Sequence, residues 1–340
     1  MSTPRGSGPY IVTQYDAGTQ IVLEKNENYW KTAEDHDGLI PKQNVDQIIC
    51  RFIAEDAQKT IALESGDVDY LFECPSIAIS DYQNSDEINL YSINATNCEG
   101  LYFNCTEGSV CSNQLLRQAI CYAVDTNAIV SSVLGGVGGI PATQIASHIA
   151  QEYQPDKEYY PYDPEKAKEL LAQAGYAEGE LNLRLVTDNT NNRREIAEII
   201  QQFLSQVGIN VTIETIEAST SNARITETDT WDMIMSGYAC VTNSVLFYFY
   251  NQLSENNSRG GWKNDEYQAL LDQAVIDGDL DLAMQCVEIV EEAAPILPTY
   301  YVVKYQAGRK GIDYWVNKYG YTSVFPNEFT YNEDATWLYD

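Results

Sequence analysis

A strand, a helix and a second strand follow one another over residues 181–213, and this succession most constrains the fold of the chain. Leucines alternate along 181–185 as on one face of a strand, and apolar residues then recur at helical spacing over 196–207. Apolar residues alternate again over 209–213, directly after a glycine. A helix that joins two strands most simply makes them parallel, with a right-handed crossover. The sequence therefore predicts a sheet with parallel strands covered by helices.

The segment before this unit predicts a helix with well-defined ends. Asp163 can accept amide hydrogens of the first turn, Pro164 suits a first helical position, and Gly175 can end the helix in a left-handed conformation. Another strand–helix–strand pattern covers 45–73. Repeated alternation of strands and helices predicts the α/β class.

Composition limits the partners of the chain. Its 340 residues can form one large or two ordinary domains, and 44% hydrophobic residues can supply a substantial core. The net charge of -30 would repel nucleic acid and anionic membrane surfaces, so we expect no nucleic-acid partner. No apolar run reaches the length of a membrane helix, and no signal peptide follows Met1.

The sequence contains eight cysteines, none of them in a CxxC pair. Cys105 and Cys111 are separated by "TEGSV", a loop that could turn back on itself. A disulfide between them is possible if their Cα atoms come within about 7 Å. Two reduced thiols in a flexible loop are the alternative.

Signatures of catalysis are missing from the sequence. It contains only two histidines, His36 and His148, each in a polar, turn-like setting, and no GxSxG, HExxH or P-loop motif. We therefore expect no metal site and no cofactor. Asp67 and Asp69 could act as acid and base in glycoside hydrolysis, and this alternative stays open. The 25 tyrosines, with their polar edges, favour binding over turnover.

Several stretches in order along the chain resemble one family, the extracellular solute-binding proteins of ABC importers called family 5. The opening segment "GSGPYIVTQYDAGTQIVLEKNENYW" is similar to the family's Gly-Thr-Gly-Pro-Tyr segment and its tyrosine-tryptophan ending. "LLRQAICYAVDTNAIV" resembles the Val-Arg-Gln-Ala-Ile signature, and "YDPEKAKELLAQAGY" matches the Tyr-Asp-Pro-Glu-Lys-Ala helix. "WDMIMSGY" and "APILPTYY" follow in the same order, so the resemblance covers about 6–333.

This resemblance implies a two-lobe α/β fold of the class II periplasmic-binding-protein type, in which the lobes close on a ligand. We expect residues 1–112 to form part of the first lobe, 113–302 the second lobe, and 303–340 a segment that returns to the first. Family members carry a leader, a first strand region and a small subdomain ahead of the Gly-Pro-Tyr segment. The chain therefore resembles a fragment whose first lobe is incomplete, with sheet edges and apolar surface uncovered.

The function implied is capture of a peptide-like or neutral polar small molecule for an ABC importer. The partners implied are that ligand and the importer's permease in the membrane, and the full-length protein is expected to be a monomer. Its expected location is the periplasm or cell surface, anchored by a lipoprotein leader missing from this chain. A glycoside hydrolase, and a surface receptor or chaperone-like module that kept the fold without transport, are the alternatives.

The resemblance also implies a ligand site. In relatives the loop equivalent to "TDNTNNRR" faces the cleft, an aspartate after the "GYACV" motif holds a ligand ammonium, and in dipeptide binders an arginine holds the carboxylate. Val241 and Thr187 stand at those two positions here, so we expect short zwitterionic peptides to bind poorly. If the alignment is displaced by a residue or two, Asp188 supplies the charge instead. The expected ligand-binding residues are Thr187, Asp188, Asn189, Asn191, Tyr238, Ala239, Cys240, Val241 and Asn243.

Overall fold

The structure, a computed structural model, describes residues 6–30, 43–240, 243–314 and 326–335. The chain divides into two compact units, one from Met1–Ile93 and Lys304–Asp340 and the other from Asn94–Val303. The chain therefore first passes from one unit to the other after Ile93, nearer the N-terminus than the boundary expected at 112. The reason is that residues after 93 continue a strand that pairs inside the second unit.

Strands and helices alternate over 47–82 and through much of the second unit, as the sequence predicts. The strands are β1 (Tyr10–Asp16), β2 (Gln20–Lys25), β3 (Gln47–Arg51), β4 (Tyr70–Leu71), β5 (Ile88–Phe103), β6 (Gly139–Pro141), β7 (Asn182–Thr187), β8 (Asn210–Thr215), β9 (Met233–Ala239), β10 (Ile296–Arg309), β11 (Ile312–Asp313) and β12 (Thr330–Tyr331). The helices are α1 (Asp56–Glu64), α2 (Ser76–Tyr82), α3 (Gln114–Ala123), α4 (Thr126–Val133), α5 (Pro164–Gln173), α6 (Arg193–Gln206), α7 (Ser221–Arg224), α8 (Leu246–Tyr248), α9 (Asp265–Asp277) and α10 (Leu280–Ala293).

In the first unit, β1, β2 and β3 form an antiparallel sheet in that order. β4 pairs instead with the end of β10, with Leu71 opposite Ala307. The strand–helix–strand pattern predicted over 45–73 is thus present as β3, α1 and β4, but its two strands belong to different sheets.

In the second unit, the strand order is β10, β5, β9, β7 and β8, and β6 also pairs with β10. β7 is parallel to both β8 and β9, whereas β5 is antiparallel to β9. The predicted parallel unit over 181–213 is confirmed as β7, α6 and β8, with Asn182 opposite Asn210. The α/β class is confirmed as well.

Both faces of this sheet are buried, and successive residues of a strand point to opposite faces. Leu101 and Phe103 of β5 pack in a cluster with residues of α3, α5 and α6. Tyr102, between them, faces the opposite cluster, which includes Ile234 of β9 and residues of α9 and α10. Because helices cover both faces, most polar groups available for a ligand lie where the strands end.

Helix α5 begins as its sequence predicts. The Asp163 carboxylate accepts the amide hydrogen of Lys166, with 2.8 Å between Oδ1 and N. Pro164 is the first helical residue, and Gly175, with φ of 88°, follows the last turn. Ala167, Leu170 and Leu171 are buried against the core.

Asp163→Ala is expected to lower the free energy of unfolding by about 1 kcal/mol, because it leaves a first-turn amide hydrogen without its partner. Urea unfolding followed by circular dichroism measures the change. Asp163→Asn keeps an oxygen acceptor and is expected to cost only a few tenths of a kcal/mol. An equal loss in both variants would show that the negative charge, rather than the capping hydrogen bond, stabilises this end.

Candidate functional site

Polar residues collect in the second unit where β7 and β9 end. The loop 188–192 follows β7, and β9 continues beside it to Ala239. The antiparallel pairing of β5 with β9 places Glu99 opposite Gly237 near the end of β9. Ligands of α/β proteins commonly bind outside the carboxyl ends of parallel strands. We therefore take this edge of the sheet as the candidate site.

Arg193, the first residue of α6, holds two carboxylates with one guanidinium group. Its Nε and Nη2 donate to the two oxygens of Glu99, at 2.7 and 3.3 Å, and its Nη1 donates to Asp188 Oδ2 at 2.9 Å. Glu99 and Asp188 are each only 1% exposed. Paired, shielded contacts of this kind are strong and directional. They fix the loop after β7 against β5.

The same loop is held by two further hydrogen bonds. Asn191 Nδ2 donates to Glu99 Oε1 at 2.6 Å, and the Tyr300 hydroxyl donates to the Asn191 carbonyl at 3.1 Å. Asn191 and Asn192 have φ of 51° and 56°, a left-handed conformation that asparagine tolerates better than most residues. Consecutive asparagines therefore allow the tight turn from β7 into α6.

Gly237 leaves room for this contact. A Cβ at this position would lie 3.1 Å from Arg193 Nη2 and 3.1 Å from Glu99 Oε1. Arg259 approaches the same glycine, donating from Nη1 to the Gly237 carbonyl at 3.1 Å and to Ser236 Oγ at 3.2 Å. Arg193, Arg259 and Glu99 thus lie close to Gly237, and with Asp188, which pairs with Arg193, the four charges sum to zero.

The ionised forms of Asp188 and Arg193 are favoured. Burial by itself would raise the pKa of Asp188, but hydrogen bonds from Thr190 and the charge of Arg193 outweigh it and hold the pKa below its usual value. Burial would likewise lower the pKa of Arg193, but the adjacent Glu99 carboxylate more than compensates, so that the pKa is raised. The ion pair between Asp188 and Arg193 therefore persists across ordinary pH.

Of the four residues expected at the site from the end of β7 and the loop after it, two are buried and two are exposed. The side chains of Thr187 and Asp188 are buried, and Thr187 Oγ1 donates to the Asp188 carbonyl at 3.3 Å. Asn189 and Asn191 are exposed, although Asn191 Nδ2 donates to the buried Glu99. The buried pair and Asn191 therefore support the loop, and Asn189 presents its polar groups to solvent.

Tyr238, expected among the ligand-binding residues, is buried in the structure. Its side chain is 2% exposed, its ring stacks on Tyr248 with 4.3 Å between centroids, and its hydroxyl donates to the Ile145 carbonyl at 2.9 Å. The reason is strand alternation, which turns Tyr238 toward the cluster formed with the segment after β9.

The other expected residues from the end of β9 lie in different environments. Ala239 is half-buried and Cys240 is buried. Asn243 is exposed, has φ of 58°, and its carbonyl accepts the Gln151 amide hydrogen at 2.9 Å. Val241 lies outside the described residues.

Four residues of the network with polar side chains were not predicted from the sequence: Glu99, Arg193, Arg259 and Tyr300. Glu99 did have a signal, because it is an acidic residue within the otherwise apolar strand sequence "CEGLYF". Such a residue is buried only when a partner compensates its charge. Nothing local identifies Arg193 as that partner, 94 positions further along the chain.

The possible disulfide is not formed in the structure, in which Cys105 and Cys111 are free. Cys111 is fully buried in the core cluster, and Cys105 Sγ donates to the Phe103 carbonyl at 3.5 Å. Both thiols pack on the same core cluster, Cys111 within it and Cys105 against it.

Other sites considered from the sequence are less distinct. His148 is half-buried, and burial lowers its pKa; His36 lies outside the described residues. Asp69 Oδ1 lies 3.8 Å from Arg309 Nη1, and Asp67 is exposed.

Among the described residues, we find no group of three His, Cys, Asp or Glu side chains that could hold a metal ion. No described helix has the length and apolar character needed to cross a membrane.

The fold places the chain among periplasmic binding proteins. It matches the ABC transporter-associated periplasmic binding protein DppA from Helicobacter pylori, solved in complex with the peptide STSA, with a TM-score of 0.72 and 23% identity. The match covers 92% of this chain and 60% of that chain. The family model described as bacterial extracellular solute-binding proteins, family 5 Middle, matches residues 1–260. The chain belongs to this family.

Two curated relatives show how far the similarity extends. Heme-binding protein A of Haemophilus influenzae is 28% identical over 314 residues, which cover 89% of this chain and 55% of the relative. Di/tripeptide-binding protein 1 of Pseudomonas aeruginosa is 28% identical over 342 residues, which cover 95% of this chain and 60% of the relative. The chain thus spans a little more than half the length of these relatives.

Proposed function

We propose that the protein binds a solute for an ABC importer and that the ligand is a longer peptide, a blocked peptide or a neutral polar molecule. Family membership supports binding rather than turnover, because the relatives are named for the heme or peptides that they bind. The network around Gly237 carries the finer part of the proposal, because it determines which charged groups remain available to a ligand.

Neither carboxylate of the network is free to hold a ligand ammonium group. Both oxygens of Glu99 accept hydrogen bonds from Arg193. Asp188 accepts from Arg193 through Oδ2 and from the amide and hydroxyl of Thr190 through Oδ1. A ligand cation would have to displace these donors, or enter without an ionised partner. This supports a ligand without a free ammonium group, and it opposes the alternative in which Asp188 anchors one.

Calorimetry with the dipeptide Ala-Phe and its N-acetylated amide tests this proposal. Burial of an uncompensated ammonium costs on the order of several kcal/mol, so we expect the blocked form to bind at least tenfold more tightly at neutral pH. Tight binding of the free dipeptide, with loss on blocking, would refute the proposed ligand class. Absence of binding by free, blocked and longer blocked peptides and neutral polar solutes would contradict the binding function itself.

Val241→Asp tests the same idea by a gain of affinity, because it introduces the aspartate that the family resemblance places at this position. We expect the variant to bind the free dipeptide at least tenfold more tightly than the unmodified protein does. Asn182→Asp adds the same charge at the other end of β7, away from the candidate site, and serves as the control. An equal gain in both variants would indicate general attraction by added negative charge rather than an anchor at residue 241.

A further inference from the structure

A groove in the second unit lies between two helical segments. It has a volume of about 380 Å³. One wall is formed by α8 and the π-helical turn Phe249–Leu253 that follows it, and the other by the end of α9 and the start of α10. Its lining residues all differ from those of the network around Gly237. The groove is therefore distinct from the candidate ligand site.

The exposed apolar side chains of the second unit are concentrated at this groove. Among the described residues of that unit, seven large apolar side chains are exposed. Four of the seven line the groove, namely Phe247, Tyr250, Val275 and Leu280. Ile276, at 78% the most exposed of the seven, is the neighbour of Val275 in α9. Single apolar residues are ordinary at a protein surface, whereas a contiguous group with a polar rim is typical of an interaction site.

The helices that carry these side chains are already packed through other residues. Tyr248 and Phe249, which neighbour the exposed Phe247 and Tyr250 in the chain, are fully buried in a core cluster. Ala274, next to Val275 in α9, is also fully buried. The core of the unit is thus built without the exposed side chains, which leaves their apolar surface available to another molecule.

The walls of the groove offer side chains rather than strand edges. In helices, most amide and carbonyl groups are used in hydrogen bonds within the helix itself. At the start of α10, Asp279 Oδ1 also accepts the Leu282 amide hydrogen, at 3.0 Å. An occupant is therefore recognised through its side chains, and an amphipathic helix presents apolar side chains along one face.

The turn between α9 and α10 makes the rim of the groove acidic. Asp277, Asp279 and Asp281 are all exposed there, and Asp279 lines the groove. In the part of the chain that the structure describes, no lysine or arginine lines the groove or forms an ion pair with these three aspartates. A partner that covers the groove should therefore carry basic residues beside its apolar ones.

Charge opposes two other occupants of the groove. A second copy of this chain would bring an identical acidic turn to a symmetric interface, where like charges disfavour association. The net charge of -30 likewise repels an anionic membrane surface. A cationic segment of another protein is the occupant that the charges favour.

We propose that this groove binds a basic amphipathic helix of another protein. The apolar face of that helix covers the exposed aromatic and aliphatic side chains of α8, the π-helical turn, α9 and α10. Its lysine or arginine side chains pair with the aspartates of the turn between α9 and α10. This site adds a protein partner to the proposed capture of a small ligand and does not depend on it.

Binding of a synthetic helix to the full chain tests the proposal. The probe is a fluorescein-labelled peptide of leucine and lysine, blocked at both ends, with leucines at i, i+3, i+4 and i+7. Fluorescence anisotropy should show saturable binding. One control peptide has the same composition with its leucines scattered around the helix, and the other has glutamate in place of lysine. We expect each control to bind at least tenfold more weakly, because it lacks the apolar face or the complementary charge.

Tyr250→Ala removes an exposed aromatic ring from the groove and is expected to weaken binding of the probe at least tenfold, as truncation of a central aromatic contact does. Tyr162→Ala is the matched control. Tyr162 is also exposed, at 40% against 53% for Tyr250, but it lies in the segment before α5. Its replacement should change binding less than twofold. Circular dichroism checks that both variants fold.

Asp277→Asn combined with Asp281→Asn tests the acidic rim. Loss of two negative charges should weaken binding of the probe at least threefold and reduce its dependence on salt concentration. Asp265→Asn combined with Glu266→Gln removes the same charge at the opposite end of α9, and should change binding less than twofold. All four residues are exposed, and the capping Asp279 is kept. These variants therefore keep the test valid if Tyr250→Ala does not fold.

Several results would overturn the proposal. Absence of saturable binding would show that the groove does not receive such a helix, and equal binding of the scattered peptide would show general attraction to an acidic protein. Equal losses in Tyr250→Ala and Tyr162→Ala would place the probe elsewhere. Sedimentation showing a dimer that Tyr250→Ala dissociates would identify a second copy of this chain as the occupant. Binding to phosphatidylcholine vesicles that Tyr250→Ala abolishes would identify a lipid surface instead.

Discussion

Arg193→Ala is expected to lower the free energy of unfolding by about 3–5 kcal/mol, the range for removing one partner of a buried ion pair. The substitution leaves the carboxylates of Glu99 and Asp188 without their guanidinium partner, although each is only 1% exposed. It also releases the loop after β7, so ligand affinity should fall together with stability. Urea unfolding and calorimetry measure the two effects.

Arg194→Ala is the control for this prediction. Arg194 is the next residue, and its Nε lies 3.3 Å from Glu198, but both side chains are about half exposed. Surface pairs of this kind contribute about 0–1 kcal/mol. Adding Glu99→Gln to Arg193→Ala should recover part of the lost stability, because it removes one uncompensated charge. Similar losses for Arg193→Ala and Arg194→Ala would contradict a special role for the buried network.

Glu291→Gln is expected to stabilise the protein at alkaline pH and to change little in acid. Glu291 lies in α10, is 3% exposed, and accepts the Ile145 amide hydrogen through its carboxylate. Burial raises the pKa of this carboxyl to about 8 from its ordinary value of 4.5. Between these values the folded protein binds more protons than the unfolded chain, so the free energy of unfolding falls as pH rises.

The stability contributed by the protonated Glu291 is therefore complete below pH 4.5 and is lost as pH rises through about 8. Glutamine keeps the shape of the neutral acid without titrating. At pH 9 the free energy of unfolding of the variant should exceed that of the unmodified protein by up to about 5 kcal/mol.

Unfolding curves from pH 4 to pH 9 test the Glu291 prediction, with Glu292→Gln as the matched control. Glu292 is the next residue of the helix and is exposed, so its replacement should not introduce the same pH dependence. A difference between Glu291→Gln and the unmodified protein that stays constant with pH would contradict a buried titrating carboxyl.

In the second unit, local sequence determined the start of α5 and the parallel strand–helix–strand succession of β7, α6 and β8. Asp163 and Pro164 define the start of α5 through contacts within a few residues. The spacing of apolar residues over 181–213 likewise determines β7, α6 and β8, because 3.6-residue and two-residue periods distinguish helix from strand. These features could be predicted because they depend on neighbours in sequence.

The candidate site was predicted only in part. Asp188 and Asn191 were expected from the resemblance, and they do lie in the network around Gly237. Glu99 and Tyr300 could not be placed there, because strand pairing and packing bring them to the loop from distant parts of the chain. The burial of Tyr238 could not be predicted, because its exposure depends on what covers that face of the sheet.

Sheet membership shows the same division in the first unit. The sequence alone determined that 45–73 contains a strand, a helix and another strand. Only tertiary structure decided that β3 and β4 join different sheets. The physical reason is that alternation specifies which side chains are buried, whereas the partner of a strand edge is chosen by backbone groups that are identical in every residue except proline.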